Sequence, residues 1–248
     1  MESTSKKFPS EVVDLPSKGL LYPKDSPLSS GKIEMKYMTA KEEDILTNQS
    51  YIEKGVVIDK LLQALIVDKT ITYSQLLIGD KNALLVAARV LGYGKDYEFD
   101  WGGEKHTIDL SQLNNKELDD TLIQGGENKF SFTTPATNDE LVFKLLTHGD
   151  ETKIQEEVTG LKKINKDSSA ELSTRLKYML LSVNGEEDRK TVREFVDNRF
   201  LARDSRAFRK HIQDISPDVD LRFYPENGSQ EGVTIPIGIG FLWPDADV

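Results

Sequence analysis

Apolar residues recur at two different spacings along this chain, and the spacing switches several times. Residues 33–38, Ile-Glu-Met-Lys-Tyr-Met, alternate apolar and charged, which predicts a half-buried strand. Beyond Thr39 the spacing turns helical. Thr39-x-x-Glu42 reads as a capping box, and Glu42-Glu43-Asp44 suits the positive end of a helix dipole. Val57, Ile58, Leu61, Leu62, Leu65 and Ile66 share one face of the next helix. Thr72-x-x-Gln75 predicts a second capping box, Gly79 a helix end, and Asp80 the cap of a helix over 81–91. That helix is apolar on most sides and is expected at the centre of a first core, with Gly92 and Gly94 stopping it.

The period then drops to two. Residues 97–101 alternate, Gly102-Gly103 supplies a tight turn, and residues 105–110 alternate back, a hairpin signal. Two more strands are expected over 129–134 and 140–146. From Gly149 the helical period returns. Asp150 is read as the cap of a helix carrying Ile154, Val158 and Leu161, and Ser168-x-x-Glu171 as a third capping box. Val192, Phe195 and Val196 mark another helix.

The next stretch, Leu201 to Ile212, has two faces. Leu201, Phe208 and Ile212 are expected to face a core, while Arg199, Arg203, Arg206 and Lys210 recur every three or four residues as an outer stripe. Acids in the same region, Asp188, Glu194, Asp197 and Asp204, could pair with that stripe locally. Pro217 stops the helices, and residues 219–224 and 233–243 read as a second ribbon across Asn227-Gly228-Ser229. Residues 235–244 are apolar on both strand faces. They fit either a strand sandwiched in the core or a partner-binding edge carrying Phe241 and Trp243.

Pro9, Pro16, Pro23 and Pro27 punctuate the start, so residues 1–35 read as an extended arm. Its apolar anchors, Leu15, Leu20, Leu21 and Tyr22, could strap the arm to its own domain or dock on a partner. Helices and strands fall in blocks. The expected class is α+β: helical blocks alternating with small antiparallel β-ribbons behind the arm, divided as 1–35, 36–147 and 148–248.

Composition narrows the chemistry. The net charge of −10, from 42 acidic and 32 basic residues, makes nucleic acid and anionic membranes poor default partners. With no cysteine, disulfides, thiolate zinc sites and a cysteine nucleophile are excluded. The first residues do not read as a signal peptide, and no run reaches the roughly 18–20 apolar residues of a membrane span, so a cytoplasmic location is expected. His106, His148 and His211 stand at no metal-ligand spacing. No nucleophile elbow or phosphate-binding loop occurs, and no cofactor or metal is expected. An enzyme would need a pocket gathering His148 or His211 with carboxylates.

Several of these pieces stand in a particular order. Leu15-Pro16-Ser17-Lys18-Gly19-Leu20-Leu21-Tyr22-Pro23 comes first, then Met38 to Leu46, Leu77-Ile78-Gly79-Asp80 and Arg89-Val90-Leu91-Gly92-Tyr93-Gly94. Ala202-Arg203-Asp204-Ser205-Arg206 and Phe241-Leu242-Trp243-Pro244 follow. In this order the chain resembles the baseplate hub assembly proteins of T-even-type contractile-tailed phages, over nearly its whole length. Many relatives carry zinc knuckles at the two hairpin turns; here Trp101-Gly102-Gly103-Glu104 and Asn227-Gly228-Ser229 hold no thiolate. The resemblance implies no enzymatic activity. It implies a chaperone, or a structural component of the virion hub, whose partners are other tail proteins. The residues proposed to meet a partner are Leu15, Leu20, Tyr22, Arg199, Arg203, Arg206, Lys210, Phe241 and Trp243. A nucleic-acid-binding accessory protein working through the basic stripe is the reading from another class.

Overall fold

The computed structural model describes residues 9–116, 121, 127–164, 169–224, 232–237 and 239–242. The N-terminal arm doubles back on itself. Strand β1 (Ser10–Asp14) pairs antiparallel with β2 (Lys32–Lys36), and the intervening turns tuck inward. Gly19 makes this possible. Its φ is +76°, and a Cβ there would lie 2.5 Å from the Gly31 nitrogen. Leu15, Leu21, Tyr22 and Leu28 are buried as a result.

Three helices follow: α1 (Ala40–Leu46), α2 (Gln49–Glu53) and α3 (Val57–Leu65). The Thr39/Glu42 capping box forms as the sequence predicts, and Lys36 reaches Glu42 at 2.6 Å. Helix α3 buries Val57, Leu61, Leu62 and Leu65. The second expected capping box does not form; residues Tyr73–Gln75 make a single 3₁₀ turn without a side-chain cap.

Helix α4 (Ile78–Tyr93) is the central element, and it begins a turn earlier than expected. Gly79 does not end a helix. It lies inside the first turn of α4, where a Cβ would come 1.9 Å from the Pro217 carbonyl oxygen. Two segments far apart in sequence therefore cross at Gly79. Asp80 does not cap a helix end either. Its carboxylate turns inward and accepts from the Ser17 N–H (2.9 Å), the Ser17 hydroxyl (2.7 Å) and the Tyr22 hydroxyl (2.5 Å). The Tyr22 oxygen in turn accepts the Leu77 N–H at 2.9 Å. Burial pushes the Asp80 carboxyl above the ordinary carboxylate range in spite of these donors.

The hairpin of β3 (Asp96–Trp101) and β4 (Glu104–Asp109) turns at Gly102 and Gly103, both at positive φ. Strand β5 (Asn115–Lys116) pairs later with β9 (Asp218–Val219). Strands β6 (Phe130–Thr133), β7 (Glu140–Phe143) and β8 (Leu180–Val183) form a three-stranded antiparallel sheet. Helices α5 (His148–Ile164) and α6 (Glu171–Met179) connect β7 to β8. Thr147 and Asp150 bond reciprocally at the start of α5. Ser168 of the third expected capping box lies outside the described residues.

After β8 come α7 (Arg189–Asn198) and α8 (Ala202–Ile215). The expected second ribbon survives only as β10 (Arg222–Phe223) against β11 (Val233–Thr234), and its turn at 227–229 lies outside the described residues. Residues Ile239–Leu242 form a short helix, α9, in place of the expected strand. The architecture is α+β, helices with small antiparallel sheets. One hydrophobic cluster runs from Leu15 of the arm through α3, α4 and Phe143 to Phe208 and Leu242, across the boundaries at 35/36 and 147/148. Among the described residues, no helix is long and apolar enough to cross a membrane.

Candidate interaction surface

The C-terminal helix pair carries the exposed charge. Asp188 opens α7 by accepting the Thr191 N–H at 2.9 Å, and Val192, Phe195 and Val196 bury one face. Helix α8 buries Phe208 and Ile215, with Phe208 edge-to-face on Phe143 at 4.9 Å. Asp204 is fully buried too. It accepts the Ala136 N–H (2.8 Å) and the Thr137 hydroxyl (3.2 Å), pinning α8 to the β6–β7 turn. Leu201 departs from expectation: it sits just ahead of α8, extended and 47% exposed, because the first buried turn is occupied by Asp204 and Ser205.

The cations of this region divide into two groups. Arg175 and Lys177 of α6 and Arg193 of α7 are committed. Arg175 forks onto Glu151 at 2.5 and 2.6 Å, Arg193 onto Glu157 at 2.7 and 2.8 Å, and Lys177 reaches Asp197 at 2.6 Å. Arg199 lies over the Phe195 ring at 5.6 Å, and Arg209 donates to the Ser205 carbonyl. By contrast Arg203, Arg206 and Lys210 are exposed and have no hydrogen-bond or ion-pair partner among the described residues. Of the four acids that could have neutralised them, Asp188, Asp197 and Asp204 are spent on a cap, a lysine and a turn, while Glu194 is exposed and has no hydrogen-bond or ion-pair partner among the described residues. The three cations stay within one side of α8 over roughly 10 Å of helix length.

The other residues proposed to meet a partner fare differently. Leu15, Tyr22 and Phe241 are 2%, 5% and 1% exposed. They are core residues, a correction to the docking reading of the arm and of the C-terminal segment. Tyr22 is drawn in by Asp80, and Phe241 packs edge-to-face on Tyr97 at 4.9 Å. Leu20 remains at the surface. Trp243 lies outside the described residues.

One polar cluster had no local sequence signal. Asp59 of α3 meets Lys81 of α4 at 2.6 Å, the Tyr73 hydroxyl at 2.9 Å and His148 Nε2 at 3.6 Å. Lys81 Nζ also stands 3.3 Å from His148 Nδ1. An ammonium can only donate, so Nδ1 accepts and the ring proton sits on Nε2, facing Asp59. Burial, aided by Lys81, holds the imidazole below its ordinary pKa. These groups are drawn from α3, the 3₁₀ turn, α4 and α5, so spacing along the chain could not have announced them. Tyr73 and His148 of this cluster border an open hollow of about 460 Å³ beside Thr72, Ser74 and Lys153. Its lining joins His148 to one carboxylate, Glu156, whereas Asp59, the carboxylate that meets the imidazole, is not part of the lining.

His106 packs among Phe99, Trp101 and Phe223, and His211 against Phe132 and Phe143. Among the described residues, no three His, Cys, Asp or Glu side chains converge as a metal site. No protein-family model, curated protein or solved structure matches this chain.

Proposed function

We propose that this chain is an assembly factor for the baseplate hub of a contractile-tailed phage, working in the host cytoplasm by protein–protein contact. The observation that carries this reading is the trio Arg203, Arg206 and Lys210, exposed and, among the described residues, unpaired on a chain of net charge −10 in which Arg175 and Arg193 are ion-paired. Arginine presents a planar fork of donors suited to carboxylates, so the trio fits an acidic surface on a partner protein. The ordered motif set supports placing that partner in the tail hub.

The test is capture of tail proteins from infected cells by tagged wild-type chain and by R203E/R206E/K210E. A hub protein should be retained by the wild type and lost by the variant; recovery of no tail protein by the wild type sinks the reading. Probing purified virions then separates an assembly factor, which is absent, from a structural hub component, present in fixed ratio. The same three cations favour nucleic acid as a second reading. It requires binding of duplex DNA by the wild type that weakens steeply with salt.

A further inference from the structure

We propose that the outer edge of β1 is a docking groove for an extended, basic peptide segment of a partner protein, which adds to β1 as an antiparallel strand. The ladder parity sets this up. Leu15 N–H donates to the Gly31 carbonyl at 2.8 Å and Tyr37 N–H to the Pro9 carbonyl at 3.0 Å. With the register of Val13 on Ile33 and Val12 on Glu34, the odd-numbered residues of β1 are the ones bonded to β2. The backbone N–H and C=O groups of Ser10, Val12 and Asp14 therefore point away from β2. They have no protein partner among the described residues. An unpaired edge of this kind is a template for another strand.

Next to that edge lies an apolar floor. A hollow of about 370 Å³ runs between residues 11–14 and helix α4, whose Ala83, Ala87, Val90 and Leu91 line it. Its far wall includes Leu113 and Val219. Two alanines in the floor leave room for side chains from above. A strand laid along β1 would turn alternate residues onto α4 and the rest to solvent, so its inward positions are apolar. Among the described residues, the charged ones lining the hollow are Glu11 and Asp14, both carboxylates. Glu11 takes the Tyr37 hydroxyl and Asp14 meets Lys32 at 3.1 Å across an exposed pair, which leaves acceptor capacity on both. That rim selects a peptide with lysine or arginine flanking its apolar residues.

Val12 offers a selective test. Its N–H belongs to the free edge and not to the β1–β2 ladder, so Val12→Pro removes the central outward donor while sparing the fold. The probe is a fluorescent lysine-flanked peptide of alternating valine and threonine, followed by polarisation with the full chain. The wild type and Val12→Thr, which keeps the donor, should bind alike, and Val12→Pro should weaken binding about tenfold or more. The R203E/R206E/K210E variant should bind as the wild type does, which keeps this groove distinct from the basic stripe. No binding by the wild type, equal binding by Val12→Pro, or loss in the stripe variant would each overturn the proposal. So would a wild-type dimer that Val12→Pro dissociates in sedimentation, since the edge would then belong to a second copy.

Discussion

Removing the Asp80 carboxylate should release the N-terminal arm. Asp80→Ala leaves the Ser17 N–H, the Ser17 hydroxyl and the Tyr22 hydroxyl without their acceptor in a site closed to water. Each orphaned buried donor costs about 1–3 kcal/mol, offset where the arm can loosen and admit water, so the expected loss is roughly 3–5 kcal/mol. Tyr22→Phe removes one donor to Asp80 and also strips the Leu77 N–H of its acceptor, for about 2–3 kcal/mol. The two residues belong to one network, so their costs should not add; a coupling of about 1–3 kcal/mol is expected in the double variant. Urea unfolding of the four proteins measures every term, with the m-value checking that the unfolding stays two-state. Limited proteolysis within residues 10–31 should accelerate in both single variants. A loss below about 1 kcal/mol for Asp80→Ala, or strictly additive costs, would mean that the arm is held by apolar packing alone.

The remaining predictions concern other joints. Gly79→Ala drives a methyl group into the Pro217 carbonyl, so α4 and the 217–219 segment must separate; a loss of about 3 kcal/mol is expected, read as a lowered unfolding midpoint. His148 has a depressed folded pKa, so its contribution is fully present above about 6.5, the unfolded value, and is lost as pH falls from there toward the folded value. His148→Gln should flatten the fall in unfolding free energy between pH 7 and pH 5; an unchanged slope would contradict the neutral-imidazole assignment. Phe241→Ala should cost about 3 kcal/mol by thermal unfolding if α9 is part of the core, and under 1 kcal/mol if it is only laid against the surface. R203E/R206E/K210E should leave stability within about 1 kcal/mol of wild type, because the replaced groups have no hydrogen-bond or ion-pair partner among the described residues.

What could be foreseen follows from how local each cause is. The β3–β4 hairpin was legible because Gly102-Gly103 and the alternating flanks act within a dozen residues. The Thr39/Glu42 box and the buried faces of α3 and α7 are equally local. Gly79 and Asp80 misled for the opposite reason. Glycine before an acidic residue reads as a stop and a cap, yet here the glycine makes room for Pro217 and the acid receives Ser17 and Tyr22, 63 and 58 residues away. Apolar content alone could not choose strand or helix for Ile239–Leu242, since so short a run fits either period. In the candidate surface, spacing placed Arg203, Arg206 and Lys210 outside correctly. That Asp197 and Asp204 were engaged by Lys177 and the β6–β7 turn is a tertiary fact, and it removes two of the acids that could have paired with the three cations.

The ordered motifs themselves have an interior purpose. Leu15–Pro23 and Leu77–Asp80 meet at one clasp, with Ser17 and Tyr22 on Asp80. Gly94 and Arg89 close another joint, the Arg89 guanidinium donating to the Gly94 carbonyl at 2.8 Å and the Asp96 carbonyl at 3.1 Å. Asp204 within Ala202–Arg206 secures the β6–β7 turn. Residues of the ordered motif set are therefore mostly the fasteners of the fold, and a fold can be shared by chains with different partners. On the proposed partner-binding reading, partner choice resides at the outward positions beside the fasteners: Arg203 and Arg206 flanking Asp204, Leu20 next to Gly19, and Val12 on the outer edge ahead of Leu15. Substituting those outward residues should redirect binding without loosening the molecule, while substituting the fasteners should loosen it and impair every contact together. Partner capture and urea unfolding, run on the same two sets of variants, separate these outcomes. If the outward set unfolds the chain as readily as the fasteners do, this division of labour is wrong.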